Sequence, residues 1–366
     1  MLNEVEWGEF ELQNLFEIVG TKSLDSNAID FLSEGINFIG RTSENNGIQG
    51  KIAKQEFEPN EAYTITATVI GNYKYVKYQE ESYYCSQNIN KLTPKNIIVK
   101  WDKRIAYFLI AHVQKFVSLY NGQQGGYKLD DIKKHIVQLP IINGEINFDF
   151  MEKFVAELEV QRVAELENYL SATGLKDYTL TAEEERALAD FKLQQWDDFN
   201  LKKLFGAATR GKRLKSDDRI SGSLPFVTAG EADTGISAFI SNDVHRFKAN
   251  TVTIDMFGSA KYRNYEYGAD DHVAVVHTNE LDKMAVLFIT SAIHKAAYTG
   301  EFHYGRNFYA KDADNLMINL PVKNGKPDYV YMQTLISAVQ KQVIKDVVLY
   351  ADEKIAATKI ITGQSE

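Results

Sequence analysis

The chain has 366 residues, 44% of them hydrophobic and 25% charged, with a single cysteine, Cys85. This length is a prior for two or three domains, the composition excludes disordered and fibrous classes, and one cysteine excludes a disulfide framework or a cysteine-built zinc site. The formal charge of −9 argues at first sight against nucleic acid, but residues 151–194 alone carry ten acidic and five basic side chains, so the sign of the whole chain describes no particular face.

In chain order, the first residues, MLNEVEWGEFELQ, lack the basic and apolar regions of a secretory signal. No window reaches the ~18 apolar residues of a membrane span, and a cytoplasmic location is expected. WGEFELQNLF begins at Trp7, and INFIGRTSENNGI around Phe38 closes on Gly47-Ile48. Tyr63–Ile70 is β-branched and aromatic and stops at Gly71, which predicts a buried strand. Arg104–Tyr120 shows helical apolar spacing, whereas ENNG and GQQGG read as loops. After LPIINGEINFDFM at Leu139, an apolar stripe runs through Met151, Val155, Leu158, Val163, Leu166 and Leu170. It predicts a long helix stopping near Gly174. Thr181 and Glu184 have capping-box spacing and open a further helix toward Leu193.

The sequence then repeats itself. WDDFNLKKLF at Trp196 shares W-x-x-F-x-L-x-x-L-F with the segment at Trp7, and LPFVTAGEADTGI answers the stretch around Phe38. TVTIDMFGSAKY answers TITATVIGNYKY, Tyr298-Thr299-Gly300 answers Tyr120-Asn121-Gly122, and LPVKNGKPDYVYM repeats L-P-x-x-N-G at Leu320. Thr251–Phe257 predicts the second strand and Lys283–Ala297 the second helix. A final stripe of Ile336, Val339, Val343, Val347 and Tyr350 predicts another long helix. The order is kept throughout, as a duplicated domain requires. The expected fold is α+β, two similar units with mixed, mostly antiparallel sheets. The boundaries read 1–147 and 195–325 for the units, and 148–194 and 326–366 for the helical segments. Helices of ~30 and ~50 Å bury their stripes by pairing as an antiparallel coiled coil.

Catalytic signatures are missing. The sequence has no phosphate-binding G-x-x-x-x-G-K-[ST], no G-x-S-x-G, no Pro-Pro of an amino-methyltransferase tetrapeptide, and no histidine pair with metal-ligand spacing. Neither catalytic nor metal-binding residues are assigned. What remains are base-contacting residue types in glycine-rich loops. The first unit offers Arg41, Thr42, Asn45, Asn46, Asn72, Tyr73, Lys74, Gln123 and Gln124; the second offers Thr228, Lys261, Tyr262, Arg263, Tyr304 and Arg306. Arg and Lys recognise guanine edges, Asn and Gln recognise adenine, and Lys, Thr and Tyr also reach phosphates. Lys261-Tyr262-Arg263 is expected at a loop tip beyond Gly258, with Arg263 on a guanine. Two alternatives stay open: a self-contained two-lobed nuclease, to which the common acidic-basic triplet Asp131-Ile132-Lys133 lends support, and a non-DNA adaptor, which the net charge favours.

The duplicated W-x-x-F-x-L-x-x-L-F opening, the F-[IV]-x(7)-G-I stretch, the L-P-x-x-N-G exit and FVAELEVQRVAELENYLSATGLKDYTL together resemble the specificity subunits of Type I restriction-modification systems. They are similar also to the recognition subunits of BcgI-like Type IIB systems. That resemblance, which covers essentially the whole chain, implies two target recognition domains reading a bipartite double-stranded DNA site. It implies that the long helices space these domains and dock DNA adenine methyltransferase subunits, possibly joined to a restriction nuclease. It implies no catalysis and no cofactor in this chain, with S-adenosylmethionine, and Mg²⁺ where cleavage occurs, on the partners.

Overall fold

The computed structural model describes residues 5–122 and 125–362. The chain divides into two compact units, residues up to 166 together with the end of the last helix, and residues 167–356. The first contains β1 (Glu6–Glu11), α1 (Leu12–Leu15), β2 (Phe16–Gly20), β3 (Ile36–Ile39), β4 (Ile48–Ile52), β5 (Thr64–Thr68), β6 (Lys77–Gln79), β7 (Tyr83–Cys85) and β8 (Ile89–Pro94). It continues with α2 (Lys103–Ser118), α3 (Leu129–Lys133), β9 (Ile136–Ile142), β10 (Glu145–Ile146) and α4 (Phe148–Ala172), the last of which runs on into the second unit. Its sheets have the orders β1-β9-β10, β2-β8-β5-β6 and β4-β3-β7, and only the β3–β7 pair is parallel.

The second unit opens with α5 (Ala182–Ala189) and then repeats the plan. In order come β11 (Trp196–Asn200), α6 (Leu201–Phe205), β12 (Thr209–Arg210), β13 (Ser221–Val227), β14 (Ile236–Ile240), β15 (Thr251–Asp255), β16 (Ala260–Arg263), β17 (Gly268–Ala269) and β18 (Val273–Val276). There follow α7 (Lys283–Ala297), α8 (Ala310–Asn315), β19 (Met317–Lys323), β20 (Lys326–Pro327) and α9 (Tyr329–Thr362). The orders β11-β19-β20, β12-β18-β15-β16 and β14-β13-β17 match the first unit strand for strand, down to the parallel pair β13–β17.

The repeated motifs have local causes. W-x-x-F places Trp7 opposite Pro140 and Trp196 opposite Pro321, so the opening of each unit pairs with its own exit. L-P-x-x-N-G supplies the hairpin after that exit strand. Asn143-Gly144 and Asn324-Gly325 all have positive φ, 52° and 83° in one unit and 53° and 73° in the other. Such a two-residue turn demands this, and Asn-Gly meets the demand at least strain. Each hairpin leads straight into a long helix. Asn147 Oδ1 accepts the Phe150 N–H and Asp328 Oδ1 the Tyr331 N–H, both at 3.0 Å, capping α4 and α9.

In each unit the main helix covers the four-stranded sheet. Ile105, Leu109, Val113 and Phe116 of α2 join Ile18, Ile65 and Leu92, while Ala285, Ile289 and Ile293 of α7 join Val252, Ile254 and Val276. The first turns of the long helices enter the same cores through Met151 and Val155 in one unit and Met332 in the other.

Beyond that turn, α9 departs from the sequence expectation. Its buried positions are Leu335, Ala338, Val348 and Ala351, whereas Val339, Val347 and Tyr350 are exposed and Val343 is 74% exposed. The cause is the segment before β11, which covers α9 with polar as well as apolar groups. Tyr331 OH donates to the Ala187 carbonyl (2.9 Å), Ser337 Oγ to Glu184 Oε1 (2.6 Å), and Lys341 Nζ to Glu184 Oε2 (3.0 Å) and the Thr179 carbonyl (2.9 Å). Thr181 and Glu184 form the expected capping box, with Thr181 N–H on Glu184 Oε2 at 2.8 Å and Glu184 N–H on Thr181 Oγ1 at 3.2 Å. Burial alone would raise the Glu184 pKa. The hydrogen bonds from Ser337, Thr181 and Lys341 outweigh burial and hold it below its ordinary value.

Candidate nucleic-acid interface

The candidate loops of each unit gather at one end of its four-stranded sheet. In the first unit Lys77 Nζ donates to the Ser43 carbonyl (3.2 Å) and Asn46 Nδ2 to the Tyr78 carbonyl (2.8 Å), tying the 41–47 loop to β6. Tyr73 N–H donates to Asn121 Oδ1 at 2.9 Å, tying the β5–β6 connection to the end of α2. Arg41, Thr42, Asn45, Asn46, Asn72, Tyr73 and Lys74 therefore lie on neighbouring loops. Arg41, Asn45, Asn46 and Lys74 are exposed, and Thr42, Asn72 and Tyr73 are half-buried. Asn45 and Asn46 have φ of 42° and 54°, a conformation in which asparagine is among the least strained of non-glycine residues. Asn72 Oδ1 accepts the Lys74 N–H at 2.9 Å and thereby shapes the turn that carries Lys74. Gln123 and Gln124 lie outside the described residues.

The second unit brings together Thr228, Lys261, Tyr304 and Arg306, with Arg263 buried beside Gly235 of the Thr228 loop and Tyr262 directed to the other end of the sheet. Gly230 N–H reaches Asp255 Oδ2 (3.3 Å), Lys261 Nζ reaches Glu231 Oε1 (3.1 Å), and Phe308 N–H donates to the Met256 carbonyl (2.9 Å). Thr228 is half-buried, its N–H bonded to the Gly235 carbonyl at 2.8 Å. Lys261 is also held by Asp255 Oδ2 (3.3 Å) and Ser259 Oγ (2.9 Å). Ser259 first and Lys261 second hold the Glu231 carboxyl below its usual pKa. Arg306 pairs with Glu301.

Lys261-Tyr262-Arg263 is not a loop tip. These residues form β16, because the turn after β15 closes within Met256–Ser259, where Asp255 Oδ1 accepts the N–H groups of Phe257 (2.9 Å) and Ser259 (3.1 Å). Tyr262 OH donates to Asn250 Oδ1 (3.0 Å), at the far end of β15. Arg263 is 1% exposed, with Nε on Thr253 Oγ1 (2.9 Å) and Nη1 on Tyr265 OH (3.1 Å). Its counterpart is Gln79, whose Nε2 donates to Thr66 Oγ1 (3.1 Å) from the same place in the ladder. The Arg263 guanidinium is thus a buried strut with no reach to a base. Sequence reasoning also passed over Lys212 and Arg213. Both are exposed, in a loop whose Lys212 N–H bonds the Ala269 carbonyl (2.9 Å) at this same end. The signal was the basic run Arg210-Gly-Lys-Arg213.

Two further features bear on chemistry. Asp270, Asp271 and His272 cluster closely enough to suggest a metal. Asp271 Oδ2 pairs with Arg210 (3.1 Å) and Asp270 Oδ1 accepts the Leu214 N–H (3.3 Å), while Asp271 Oδ1 lies 3.2 Å from His272 Nδ1 without a hydrogen bond, and nothing further among the described residues points to a bound ion. Asp131 of the acidic-basic triplet accepts the Lys128 N–H (2.8 Å) at the start of α3, as Asp312 accepts the Tyr309 N–H (2.8 Å) at α8. The aspartate therefore begins a helix in both copies, although the second has Asp312-Ala313-Asp314 where the first has Asp131-Ile132-Lys133.

One domain type, found twice with the same topology, is what a family comparison detects as well. The chain matches the Type I restriction modification DNA specificity domain over residues 4–168 and again over 194–356. The chain belongs to this family. It is similar to the Type II restriction enzyme specificity subunit S.BcgI of Heyndrickxia coagulans, 24% identical over 353 residues that cover 94% of this chain and 97% of the relative. The crystal structure of a Type I restriction-modification S subunit from M. genitalium shares the fold. Its TM-score is 0.58 at 15% identity, covering 99% of this chain and 95% of that one. Each unit here is accordingly one copy of the specificity domain, with its loop cluster on a scaffold the family holds in common.

Proposed function

We propose that this chain is the DNA-recognition subunit of a restriction-modification complex, each specificity domain reading one half of a bipartite duplex site. The observation that carries this reading is the strand-for-strand repetition of the family domain, each copy gathering polar and aromatic loops at one end. A common scaffold with differing loops suits recognition, and exposed Arg41, Lys74 and Tyr304 suit phosphate and groove contacts. Methyl transfer belongs to DNA adenine methyltransferase partners that bring S-adenosylmethionine, with a nuclease and Mg²⁺ if the complex cuts. The helices α4 and α9 pair antiparallel and space the two readers by about one duplex turn, ~34–36 Å. The exposed apolar face of α9, Val339, Val343, Val347 and Tyr350, docks the partner. A cytoplasmic location goes with this role; among the described residues no helix is long and apolar enough to cross a membrane.

The test is to co-express the chain with a DNA adenine methyltransferase subunit of a restriction-modification system and map the methylated sites. The expected result is a split motif with an unread gap, together with DNA binding by the complex that weakens steeply with salt. A continuous motif, or methyl transfer or cleavage by this chain alone, overturns the reading.

A further inference from the structure

In both units the turn between the third and fourth strands of the four-stranded sheet lies beside the loop that follows the main helix. In the first unit Tyr73 N–H meets Asn121 Oδ1 and Gly122 N–H meets the Gly71 carbonyl (3.4 Å). In the second, Phe257 meets Tyr304 edge-on at 5.3 Å. The lengths of these neighbours trade off. Gly71 to Lys77 is six residues where Gly258 to Lys261 is three, and Tyr120 to Tyr127 is seven where Tyr298 to Phe308 is ten. Each unit is thus longer by three residues in one of the two loops and shorter by three in the other. The first unit carries Asn72-Tyr73-Lys74-Tyr75 on its longer strand turn. The second has a tight four-residue turn there and carries His303-Tyr304-Gly305-Arg306 on its longer helix loop.

That loop is braced by its own contacts. His303 and Arg306 exchange backbone hydrogen bonds (3.0 and 2.8 Å), and Gly305 N–H donates to His303 Nδ1 (3.1 Å). Phe302 packs edge-on against buried Phe308 at 4.9 Å, and the Arg306 guanidinium lies over Phe302 at 5.3 Å while pairing with Glu301. Tyr304 stands at the tip, 86% exposed. The turn is closed by these contacts, yet its largest side chain adds little to the packing of the fold, as suits a recognition residue.

We infer that the two units read their half-sites with different loops, and that Tyr304 is the specificity-determining contact of the second unit, its ring packing against a base in the duplex. The inference rests on the proposed function and refines it. Arg306, neutralised by Glu301, is a positioning residue that holds the turn, and Lys261, held by Asp255 and Glu231, stands behind it.

The experiment selects bound duplexes from a randomised pool with the complex of this full chain and its methyltransferase. Tyr304→Ala should cost about tenfold in affinity for the selected site and relax one or two adjacent positions of one half only. Tyr304→Phe, which keeps the ring, should recover most of that preference, and Lys74→Ala should affect only the other half. The inference is overturned if Tyr304→Ala keeps the parental motif and affinity, weakens all sequences equally, or relaxes both halves. A parental complex with no sequence preference removes the DNA-recognition reading itself, a different failure.

Discussion

Arg263 and Gln79 share one position in the repeated domain, each donating from the fourth strand to a threonine on the third. Such a strut acts on stability. Arg263→Ala empties a buried site and removes the donors to Thr253 Oγ1 and Tyr265 OH, for an expected loss of about 2–4 kcal/mol in urea unfolding. Arg263→Gln, which installs the other copy's solution, should lose less than half of that, and neither variant should change the methylated motif. A base-reading Arg263 would give the opposite pattern, an altered motif at unchanged stability. Glu184 makes a second residue-scale prediction. Its pKa is lowered in the folded chain, so its contribution is fully present above its ordinary value near 4.5 and is lost as pH falls through the depressed folded value. Glu184→Gln should therefore cost about 1–3 kcal/mol at pH 7, because Lys341 loses a buried partner. That difference should shrink steadily as unfolding is measured at pH values below about 4.5.

Elements were legible where a local rule dominated. The Lys283–Ala297 helix and the Thr181–Glu184 cap follow from signals a few residues long, and the duplication was visible because both copies keep such motifs as L-P-x-x-N-G, whose Asn-Gly the structure shows to be a hairpin turn. The face of α9 was not legible. Counting apolar residues selects Val339, Val343 and Val347, whereas the covered face runs through Leu335, Ala338, Lys341 and Val348, and a lysine with buried carboxylate and carbonyl partners is invisible to hydropathy. The loop cluster was half legible. Composition found the loops, but whether a cation is free or held depends on how the chain folds back, bringing Glu231 and Asp255 to Lys261 and Glu301 to Arg306. The exposed α9 stripe then has a direct test. Val343→Asp should leave thermal stability within about 0.5 kcal/mol of the parent, because the side chain is already in water, yet prevent the methyltransferase from co-purifying. Undiminished co-purification would remove this face from the docking surface.

At the scale of the molecule, the proposed pairing of α4 with α9 makes the spacing of the two readers a property of helix length. Seven residues inserted into both α4 and α9 add about 10 Å, close to three base pairs at about 3.4 Å each. The methylated motif should keep both half-sequences and widen its gap by about three; altered half-sequences would show that the helices take part in reading. The pairing of β1 with β9 and of β11 with β19 has a consequence in time as well as in space. Trp7 meets Pro140, and Trp196 meets Pro321, so neither unit closes its outer sheet until its last strand has been synthesised. At about 5–20 residues per second, the ribosome needs roughly 6–27 s to travel from one partner to the other. During that interval the opening strand is an unpaired edge, and Leu12, Leu15 and Phe16 lack part of the core that buries them. Non-local closure of this kind is slow even for a complete chain. Nascent copies on neighbouring ribosomes thus compete for each other's open edges, and slower initiation, which spaces those ribosomes apart, favours soluble product.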